Sequence, residues 1–158
     1  MTFQAGPITL ASPDATIAFA RRLAAICVAG DTVLLEGPIG AGKSALARAF
    51  IHARIGEGED VPSPTFTLVQ TYDDDSGEIW HCDLYRLTRI DDLIELGLDH
   101  AFETAICLIE WPDRLGSAAP ENALWLTMAA PSDADDTAHT LSIRGDSQWA
   151  KRLERICD

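Results

Sequence analysis

The chain is 158 residues long, which is the length of one domain of ordinary size. Hydrophobic residues make up 47% of it and charged residues 23%, proportions that exclude a disordered or collagen-like chain. Twelve Lys and Arg against 25 Asp and Glu give a formal net charge of -13. Such a surface repels phosphate backbones, so a protein that itself grips nucleic acid is disfavoured.

The sequence contains no run that approaches the roughly 20 apolar residues of a membrane span. Its first residues also lack the basic and apolar regions of a secretory signal. We therefore expect a cytoplasmic protein that does not contact a membrane. The four cysteines (Cys27, Cys82, Cys107 and Cys157) are far apart, and the histidines lack the spacing of metal ligands. This pattern predicts free thiols and no zinc site.

In chain order, the first predicted element is a helix that begins at Ser12-Pro13-Asp14. Ser is a good helix cap, Pro suits the first helical position, and an acid suits the first turn. The helix should end before Gly30, and its predicted apolar face consists of Ile17, Ala20, Leu23, Ala24 and Cys27. Residues 32–35 then predict a buried strand, residues 44–55 a second helix, and residues 56–64 a loop.

Residues 67–72 and 78–84 predict the two strands of a hairpin. The turn between them, residues 73–77, contains three aspartates that we expect to be solvated rather than to bind calcium. Further along, the pattern predicts a short helix at 91–96, strands at 106–109, 124–129 and 140–143, and a helix at 148–156. The alternation of strands and helices predicts a single α/β domain over residues 1–158. Its sheet should be mixed, mostly parallel and flanked by helices, with a β-hairpin after the second helix.

Residues 37–44 read Gly-Pro-Ile-Gly-Ala-Gly-Lys-Ser and match the phosphate-binding motif G-x-x-x-x-G-K-[ST] in full. The glycines let backbone N–H groups converge on phosphate oxygens, Lys43 can reach the β- and γ-phosphates, and Ser44 can bind Mg²⁺. In an unrelated fold these glycines would only end a strand and start a helix, but the strand and helix on either side favour the phosphate site. The motif predicts binding of a nucleoside triphosphate by Gly37, Gly40, Ala41, Gly42, Lys43, Ser44 and Ala45.

A phosphate-binding loop of this kind needs an acid at the end of a neighbouring strand to hold Mg²⁺ or its water shell. Glu110 directly follows the apolar residues 106–109 and lies at the edge where open α/β sheets bind ligands. Asp83 is a second candidate, which could align the attacking water. For each acid the alternative is a purely structural or solvated carboxylate. Trp111, next to Glu110, belongs either to the core or to the rim of the site.

The segment Ser63-Pro64-Thr65-Phe66 is a loop before a predicted strand. Its hydroxyl groups could sense the γ-phosphate as a switch segment, and the alternative is a simple turn.

Taken together, the motifs resemble the TsaE (YjeE) family, small bacterial ATPases required for forming threonylcarbamoyladenosine in tRNA. The resemblance covers roughly residues 8–115. The motifs that carry it are Ser12-x-x-x-Thr16, the phosphate-binding loop 37–44, Ser-Pro-Thr-Phe-Thr-Leu-Val at 63–69, His-Cys-Asp-Leu-Tyr-Arg-Leu at 81–87, Leu96-Gly97 and Ile-Glu-Trp-Pro at 109–112.

The resemblance implies a P-loop NTPase fold and an ATPase that depends on ATP and Mg²⁺. It also implies action on a complex of TsaD and TsaB, which transfers threonylcarbamoyl to the tRNA, so tRNA is met only through that complex. The implied roles are phosphate and Mg²⁺ ligands for Lys43 and Ser44, second metal ligand for Glu110, and catalytic acid for Asp83. Thr65 falls in the segment that corresponds to switch I.

The chain departs from the family pattern at three places. Pro38 stands where an Asp is more frequent, and Ser44 stands where a Thr is more frequent. Since Ser supplies the same hydroxyl, metal binding should be retained. Ala138-His139 stands where an Arg is expected, which leaves the adenine contacts unassigned.

Two other functions fit the same loop. A small-molecule or nucleoside kinase is disfavoured because such enzymes clamp the phosphoryl group with several arginines in a mobile lid. Here Arg86, Arg89 and Arg114 are the candidates, and they form no cluster in a long insertion. A nucleotide-gated adaptor without catalysis is disfavoured by the candidate acids Asp83 and Glu110.

Overall fold

A computed structural model describes residues 2–64, 67–129 and 139–154 of the chain. The strands are β1 (Thr2–Leu10), β2 (Thr32–Glu36), β3 (Val69–Asp74), β4 (Gly77–Asp83), β5 (Ile106–Glu110), β6 (Leu124–Ala129) and β7 (His139–Asp146). The helices are α1 (Pro13–Ile26), α2 (Lys43–Ile55), α3 (Asp91–Leu96), α4 (Leu98–Thr104) and α5 (Ser147–Leu153), with a 3₁₀ segment at Pro112–Ala118.

These seven strands form one sheet in the order β1-β7-β6-β2-β5-β4-β3. The four central strands β6, β2, β5 and β4 run parallel, and the pairings β1–β7, β7–β6 and β4–β3 are antiparallel. The predicted mixed sheet is confirmed, and its parallel part is the centre. The carboxyl ends of the four parallel strands therefore share one edge, where open α/β sheets bind their ligands.

Helices cover both faces of the sheet because the central strands are apolar on both sides. Along β2, Val33 and Leu35 face a core that includes residues of α1, α2 and α5, whereas Leu34 faces a second core. That second core contains residues of α3, α4 and the 3₁₀ segment, such as Leu93, Leu98 and Leu115. The alternation places two apolar layers around one buried strand.

The predicted start of α1 is confirmed. The Ser12 hydroxyl accepts a hydrogen bond of 3.2 Å from the Ala15 amide, and a proline stands in the first turn. Ile17 was expected on the buried face, and this is wrong, because its side chain is 37% exposed. Thr16 and Phe19 are buried instead, since the buried stripe of the helix passes through positions 16, 19, 20, 23 and 24.

Two elements escape the sequence patterns. Strand β1 lies at the edge of the sheet, pairs only with β7, and carries Gly6 and Pro7 at an irregularity in its register. Edge strands tolerate proline. Because Gly6 and Pro7 interrupt the alternation of apolar and polar residues, the sequence pattern does not predict this strand. Helix α4 follows α3 directly after Gly97, which adopts φ 88° in the left-handed region, so the glycine that ends α3 also allows α4 to begin.

The aspartates of the hairpin do not behave alike. Asp74 belongs to β3, and its carboxylate accepts a hydrogen bond of 2.7 Å from Arg54 Nε. Only 6% of the Asp74 side chain is exposed, so the expectation of a solvated turn is wrong at this position, whereas Asp73 and Asp75 are exposed. Burial alone would raise the pKa of Asp74, but hydrogen bonds from Ser76 and Arg54 hold it below its usual value.

The cysteines Cys27, Cys82 and Cys107 are free and buried, whereas Cys157 lies outside the described residues. Burial raises the pKa of the Cys27 thiol to about 12, which keeps it protonated and unreactive. Across residues 2–64, 67–129 and 139–154, no group of three or more His, Cys, Asp and Glu could hold a metal ion by itself. No helix in this part of the chain is long and apolar enough to cross a membrane.

Candidate functional site

The phosphate-binding loop connects the carboxyl end of β2 to the first turn of α2. Gly37, Gly40 and Gly42 all adopt positive φ angles, of 144°, 84° and 100°. At Gly37 a Cβ atom would lie 2.2 Å from the carbonyl oxygen of Met128 on β6, so only glycine fits there. The loop therefore curls tightly against the neighbouring strand, with α2 beginning at Lys43.

A cavity of about 480 Å³ opens in front of this loop. It lies at the shared edge of the parallel strands, as expected for this type of sheet. Its lining combines the loop, the ends of β4 and β5 and the residues after them: Ile39, Gly40, Gly42, Lys43, Ser44, Ala45, Ser63, Asp83, Tyr85, Arg86, Glu110, Trp111 and His139. Of the residues predicted from the motif, Gly37 and Ala41 do not line it. Ala41 is fully buried, and Gly37 lies close against Met128 of β6, so both residues support the conformation of the loop without lining the cavity.

The structure brings Ser44 and Glu110 into direct contact. The Ser44 hydroxyl donates to Glu110 Oε1 at 2.8 Å, although 66 residues separate them in the chain. Strand β5 makes this possible because it pairs in parallel with β2, whose carboxyl end leads into the loop. Glu110 is only 2% exposed, so its carboxylate is buried at the end of β5 rather than surrounded by solvent.

Asp83 lies beside Glu110, because β4 and β5 are parallel and these two residues are register partners. It is 5% exposed, and its carboxylate accepts a hydrogen bond of 3.0 Å from the Tyr85 amide. Its own amide donates to the Leu68 carbonyl at 2.9 Å. The two acids predicted from the sequence therefore end adjacent strands and face the same cavity.

Lys43 occupies the interior of the loop. Its ammonium donates to the Gly37 carbonyl and lies 3.6 Å from the centre of the Trp111 ring. The side chain is buried, and this burial lowers the pKa of Lys43, while the nearby carboxylates of Glu110 and Asp83 oppose the shift. A cation over an aromatic face is stabilised by the ring quadrupole.

Trp111 belongs to the rim of the site, which answers the question that the sequence left open. It adopts φ 58°, a left-handed conformation that is unusual for a residue other than glycine. Its ring also packs on Tyr85, with 4.9 Å between the ring centres. Strained backbone of this kind is concentrated at functional sites.

His81 contributes a contact that the sequence analysis missed. Its Nε2 lies 2.7 Å from Glu110 Oε2, and both side chains are almost completely buried. Because an ionised carboxylate only accepts, Nε2 donates to it, and Nδ1 is buried without a hydrogen-bond partner among the described residues. A signal was present, since His81 and Asp83 are two positions apart on one strand and so share a face.

His139 is the second residue that was missed as a contributor. Its Nε2 donates to the Gly40 carbonyl at 3.3 Å, across 99 residues of sequence. It also lines a cavity of about 360 Å³ between α1 and α2, which shares Gly42 and Ala45 with the first cavity and reaches Thr16. No pattern around His139 predicts this position. Thr65 lies outside the described residues, so the predicted switch segment is represented in the cavity by Ser63.

The amino-acid sequence matches a known protein family. The family model described as "Threonylcarbamoyl adenosine biosynthesis protein TsaE" matches residues 10–138, which extends the likeness beyond the motifs of residues 8–115. The tRNA threonylcarbamoyladenosine biosynthesis protein TsaE of Rickettsia bellii is 40% identical over 111 residues, covering 70% of this chain and 77% of that protein. The TsaE protein of Bacillus subtilis is 32% identical over 148 residues, covering 93% of this chain and 88% of that protein.

The fold agrees with a solved structure. The crystal structure of YdiB from Bacillus subtilis superposes with a TM-score of 0.74 at 24% identity, covering 98% of this chain and 92% of that chain. The predicted P-loop NTPase fold, a fold typical of nucleotide binding, is confirmed. The chain belongs to the TsaE family, whose members take part in tRNA threonylcarbamoyladenosine biosynthesis.

Proposed function

We propose that this protein is a Mg²⁺-dependent ATPase of the cytoplasm that acts as an accessory subunit of threonylcarbamoyladenosine formation. It hydrolyses ATP in complex with TsaD and TsaB and so supports the turnover of that complex. The observation that carries the proposal is the 2.8 Å contact between the Ser44 hydroxyl and Glu110 Oε1. It joins the loop hydroxyl and the strand-end carboxylate, the two protein groups that such enzymes direct at Mg²⁺.

The residues present fit a phosphate chain and a magnesium ion. The loop glycines allow the backbone amides between Gly40 and Ala45 to turn toward phosphate oxygens, and Lys43 supplies a nearby positive charge. Ser44 and Glu110 offer oxygen donors, the ligand type that Mg²⁺ prefers. When bound, the ion would neutralise charge on the phosphates.

Asp83 is suited to orient the attacking water. Its position next to Glu110 and its place in the wall of the same cavity support this role, because a carboxylate held there can accept a hydrogen bond from the water that attacks the phosphate. Lys43 would exchange its contacts with the Gly37 carbonyl and Trp111 for contacts with phosphate oxygens. The buried lysine is thus already held within the loop before a ligand arrives.

We assign the nucleoside part of ATP to the 360 Å³ cavity between α1 and α2. The assignment is supported by the residues Gly42, Ala45 and His139, which this cavity shares with the phosphate site. A nucleotide that follows the loop away from Lys43 would reach it directly. The imidazole of His139 at the junction offers a flat surface where the family pattern more often has an Arg.

The charge of the chain supports work through protein partners. With a net charge of -13, the protein is a poor ligand for tRNA, which itself carries one negative charge for each phosphate. In this proposal TsaD and TsaB hold the tRNA, and this protein contacts it only through them.

The experiment that tests the proposal measures ATP hydrolysis by the purified chain with Mg²⁺, alone and with the TsaD–TsaB pair of the same organism. We expect low activity alone and clear stimulation by the pair. Ser44→Ala should remove the stimulated activity, and replacement of Mg²⁺ by excess chelator should do the same. Hydrolysis that the pair leaves unchanged would contradict the proposal, as would transfer of phosphate to a metabolite faster than to water.

A further inference from the structure

A tight turn follows strand β4 at the edge of the phosphate cavity. It comprises residues 84–87, and the Leu87 amide donates to the Leu84 carbonyl at 3.0 Å. Both leucines are buried in the core. The two residues between them, Tyr85 and Arg86, are the central positions of the turn and are exposed. The buried ends of the turn therefore direct its two central residues away from the core.

The turn is fastened to both acids of the site. The Leu84 amide donates to the Glu110 carbonyl at 3.1 Å, and the Tyr85 amide donates to the Asp83 carboxylate at 3.0 Å. Asp83 and Glu110 in turn end two adjacent parallel strands. The backbone that carries Arg86 is thus held in a fixed position relative to the two carboxylates.

The charges in the wall of the phosphate cavity balance only when Arg86 is counted. With histidine taken as neutral, Lys43 and Arg86 are the positive side chains there, and Asp83 and Glu110 are the negative ones. Without Arg86, two carboxylates would face the phosphates beside a single ammonium group. A triphosphate carries more negative charge than one Mg²⁺ neutralises, so a second cation in the wall is of direct use to it.

The other two arginines that the sequence offered as phosphate ligands point elsewhere. Arg89 lies 3.4 Å from the carboxylate of Asp91, and its side chain is 72% exposed. Arg114 donates to the Leu87 carbonyl at 3.4 Å. Among the residues that the structure describes, Arg86 is the arginine that lines the phosphate cavity, whereas Arg89 and Arg114 do not.

We propose that Arg86 is a catalytic residue for ATP hydrolysis, whose guanidinium donates hydrogen bonds to the phosphate oxygens that gain charge in the transition state. The proposal rests on the proposed function, because it adds a residue to that reaction. In this reaction the water oxygen bonds to the γ-phosphorus while the bond from that phosphorus to the bridging oxygen breaks, and its electron pair stays on ADP. One water proton remains on the phosphate and the other passes to solvent.

The position and the chemistry of Arg86 suit this role. Asp83, the residue assigned to the attacking water, is three positions before it and lines the same cavity. A guanidinium presents a planar fork of N–H donors that matches phosphate oxygens, and hydrogen bonds between charged groups are stronger than neutral ones. Lys43 is already held inside the loop, whereas Arg86 lies on an exposed turn. We therefore expect Lys43 to serve binding of the phosphates and Arg86 to act mainly on the transition state.

The test compares the natural chain with Arg86→Ala, Arg86→Lys and the matched control Arg89→Ala. The control removes the same charge from a nearby exposed side chain outside the cavity. Single-turnover ATP hydrolysis is measured alone and with the TsaD–TsaB pair. Calorimetry measures binding of Mg-ADP with and without fluoroaluminate, which mimics the phosphoryl group in the transition state. Melting temperature reports whether each variant is folded.

We expect Arg86→Ala to slow hydrolysis about 10²- to 10³-fold, as the loss of a group that stabilises transition-state charge does. Binding of Mg-ADP with fluoroaluminate should weaken by a similar factor, whereas binding of Mg-ADP alone should change by no more than about twofold. Arg86→Lys should recover only part of the loss, because lysine keeps the charge without the planar fork. The control should behave like the natural chain.

The contrary outcomes are distinct. If Arg86→Ala hydrolyses ATP and binds the fluoroaluminate complex like the natural chain, Arg86 is not catalytic, while the proposed function stands. If Mg-ADP binding weakens as much as binding of the fluoroaluminate complex, Arg86 serves the ground state and the proposal is wrong. Loss of only the stimulation by TsaD–TsaB would assign Arg86 to a partner contact instead. If the natural chain binds no Mg-ATP, or hydrolyses none even with the pair, this proposal and the proposed function both fail.

Discussion

The nucleotide edge of the sheet, where the phosphate-binding loop meets the ends of β4 and β5, differs in the burial of its charged groups from the cavity of about 780 Å³ beside α3 and α4. At the nucleotide edge Lys43, His81, Asp83 and Glu110 are each at most 5% exposed, and every one of them is paired within the protein. In the wall of the cavity beside α3 and α4, Asp99 and Glu103 are exposed and lie among apolar side chains such as Leu98. Buried, paired charges are held in one geometry, as a small charged ligand requires, whereas exposed acids stay hydrated and are screened by salt.

The largest effect should follow from removing the charge at the centre of the nucleotide edge. Lys43→Ala is expected to lower ATP hydrolysis about 10³-fold, because it removes the cation that faces the phosphates. Single-turnover hydrolysis and calorimetry with Mg-ATP measure the change. Lys151→Ala, at an exposed position of α5, is the control and should be neutral. Equal activity of the two variants would show that Lys43 does not contact phosphate.

The next effect should separate metal binding from nucleotide binding. Glu110→Gln keeps the size of the side chain and one acceptor oxygen for Ser44 or His81, but it removes the charge and the second acceptor oxygen. We expect the concentration of Mg²⁺ needed for hydrolysis to rise about 10²-fold. Binding of nucleotide without Mg²⁺ should persist, as fluorescence or calorimetric titration in chelator can show. An unchanged Mg²⁺ requirement would show that Glu110 does not bind the metal ion. The control is Glu95→Gln, which makes the same change at an exposed position and should leave the requirement unchanged.

A smaller effect should come from the partner of that carboxylate. His81 donates to Glu110 at 2.7 Å and so holds the orientation of its two oxygens. We expect His81→Ala to weaken Mg²⁺ binding about 10- to 100-fold, as the loss of groups behind a metal ligand does in other sites. His81→Gln, which can still donate, should recover part of it. If both variants lose nucleotide binding without Mg²⁺ as well, His81 supports the fold rather than the metal ligand.

The smallest effect is expected on stability, in the hairpin, where a paired acid can be compared with an exposed one. Asp74→Asn should lower the free energy of unfolding by about 1–2 kcal/mol, because it removes a charged partner of Arg54, whereas Asp73→Asn should be near neutral. Denaturant unfolding measures both. A difference below the error of the measurement would mean that the Arg54 pair adds nothing to stability.

The same hairpin predicts a pH dependence. The pKa of Asp74 is lower in the folded protein than its unfolded value of about 3.9. Its contribution is therefore complete above that unfolded value and is lost as the pH falls toward the folded one. The difference in stability between the natural chain and Asp74→Asn should shrink below about pH 4. A difference that is constant down to acid pH would contradict the ionised pair.

Much of the fold follows from local patterns. The cap at Ser12, the apolar run of β2 and the loop motif were sufficient to predict where α1 begins and to predict β2 and α2 within one residue. Glu110 was predicted at the ligand edge because the strand before it is buried and parallel strands end together. These signals are contiguous in sequence, so capping, periodicity and turn chemistry reveal them without knowledge of the partners.

Tertiary structure alone decided the contacts within the site. The pairing of His81 with Glu110 depends on the parallel register of β4 and β5, and the approach of His139 to Gly40 depends on a neighbour 99 residues away. Local patterns specify which face a side chain occupies, but not which strand lies beside it. For the same reason the sequence determined that this chain carries a phosphate-binding loop, whereas only the packed sheet decided which charges surround it.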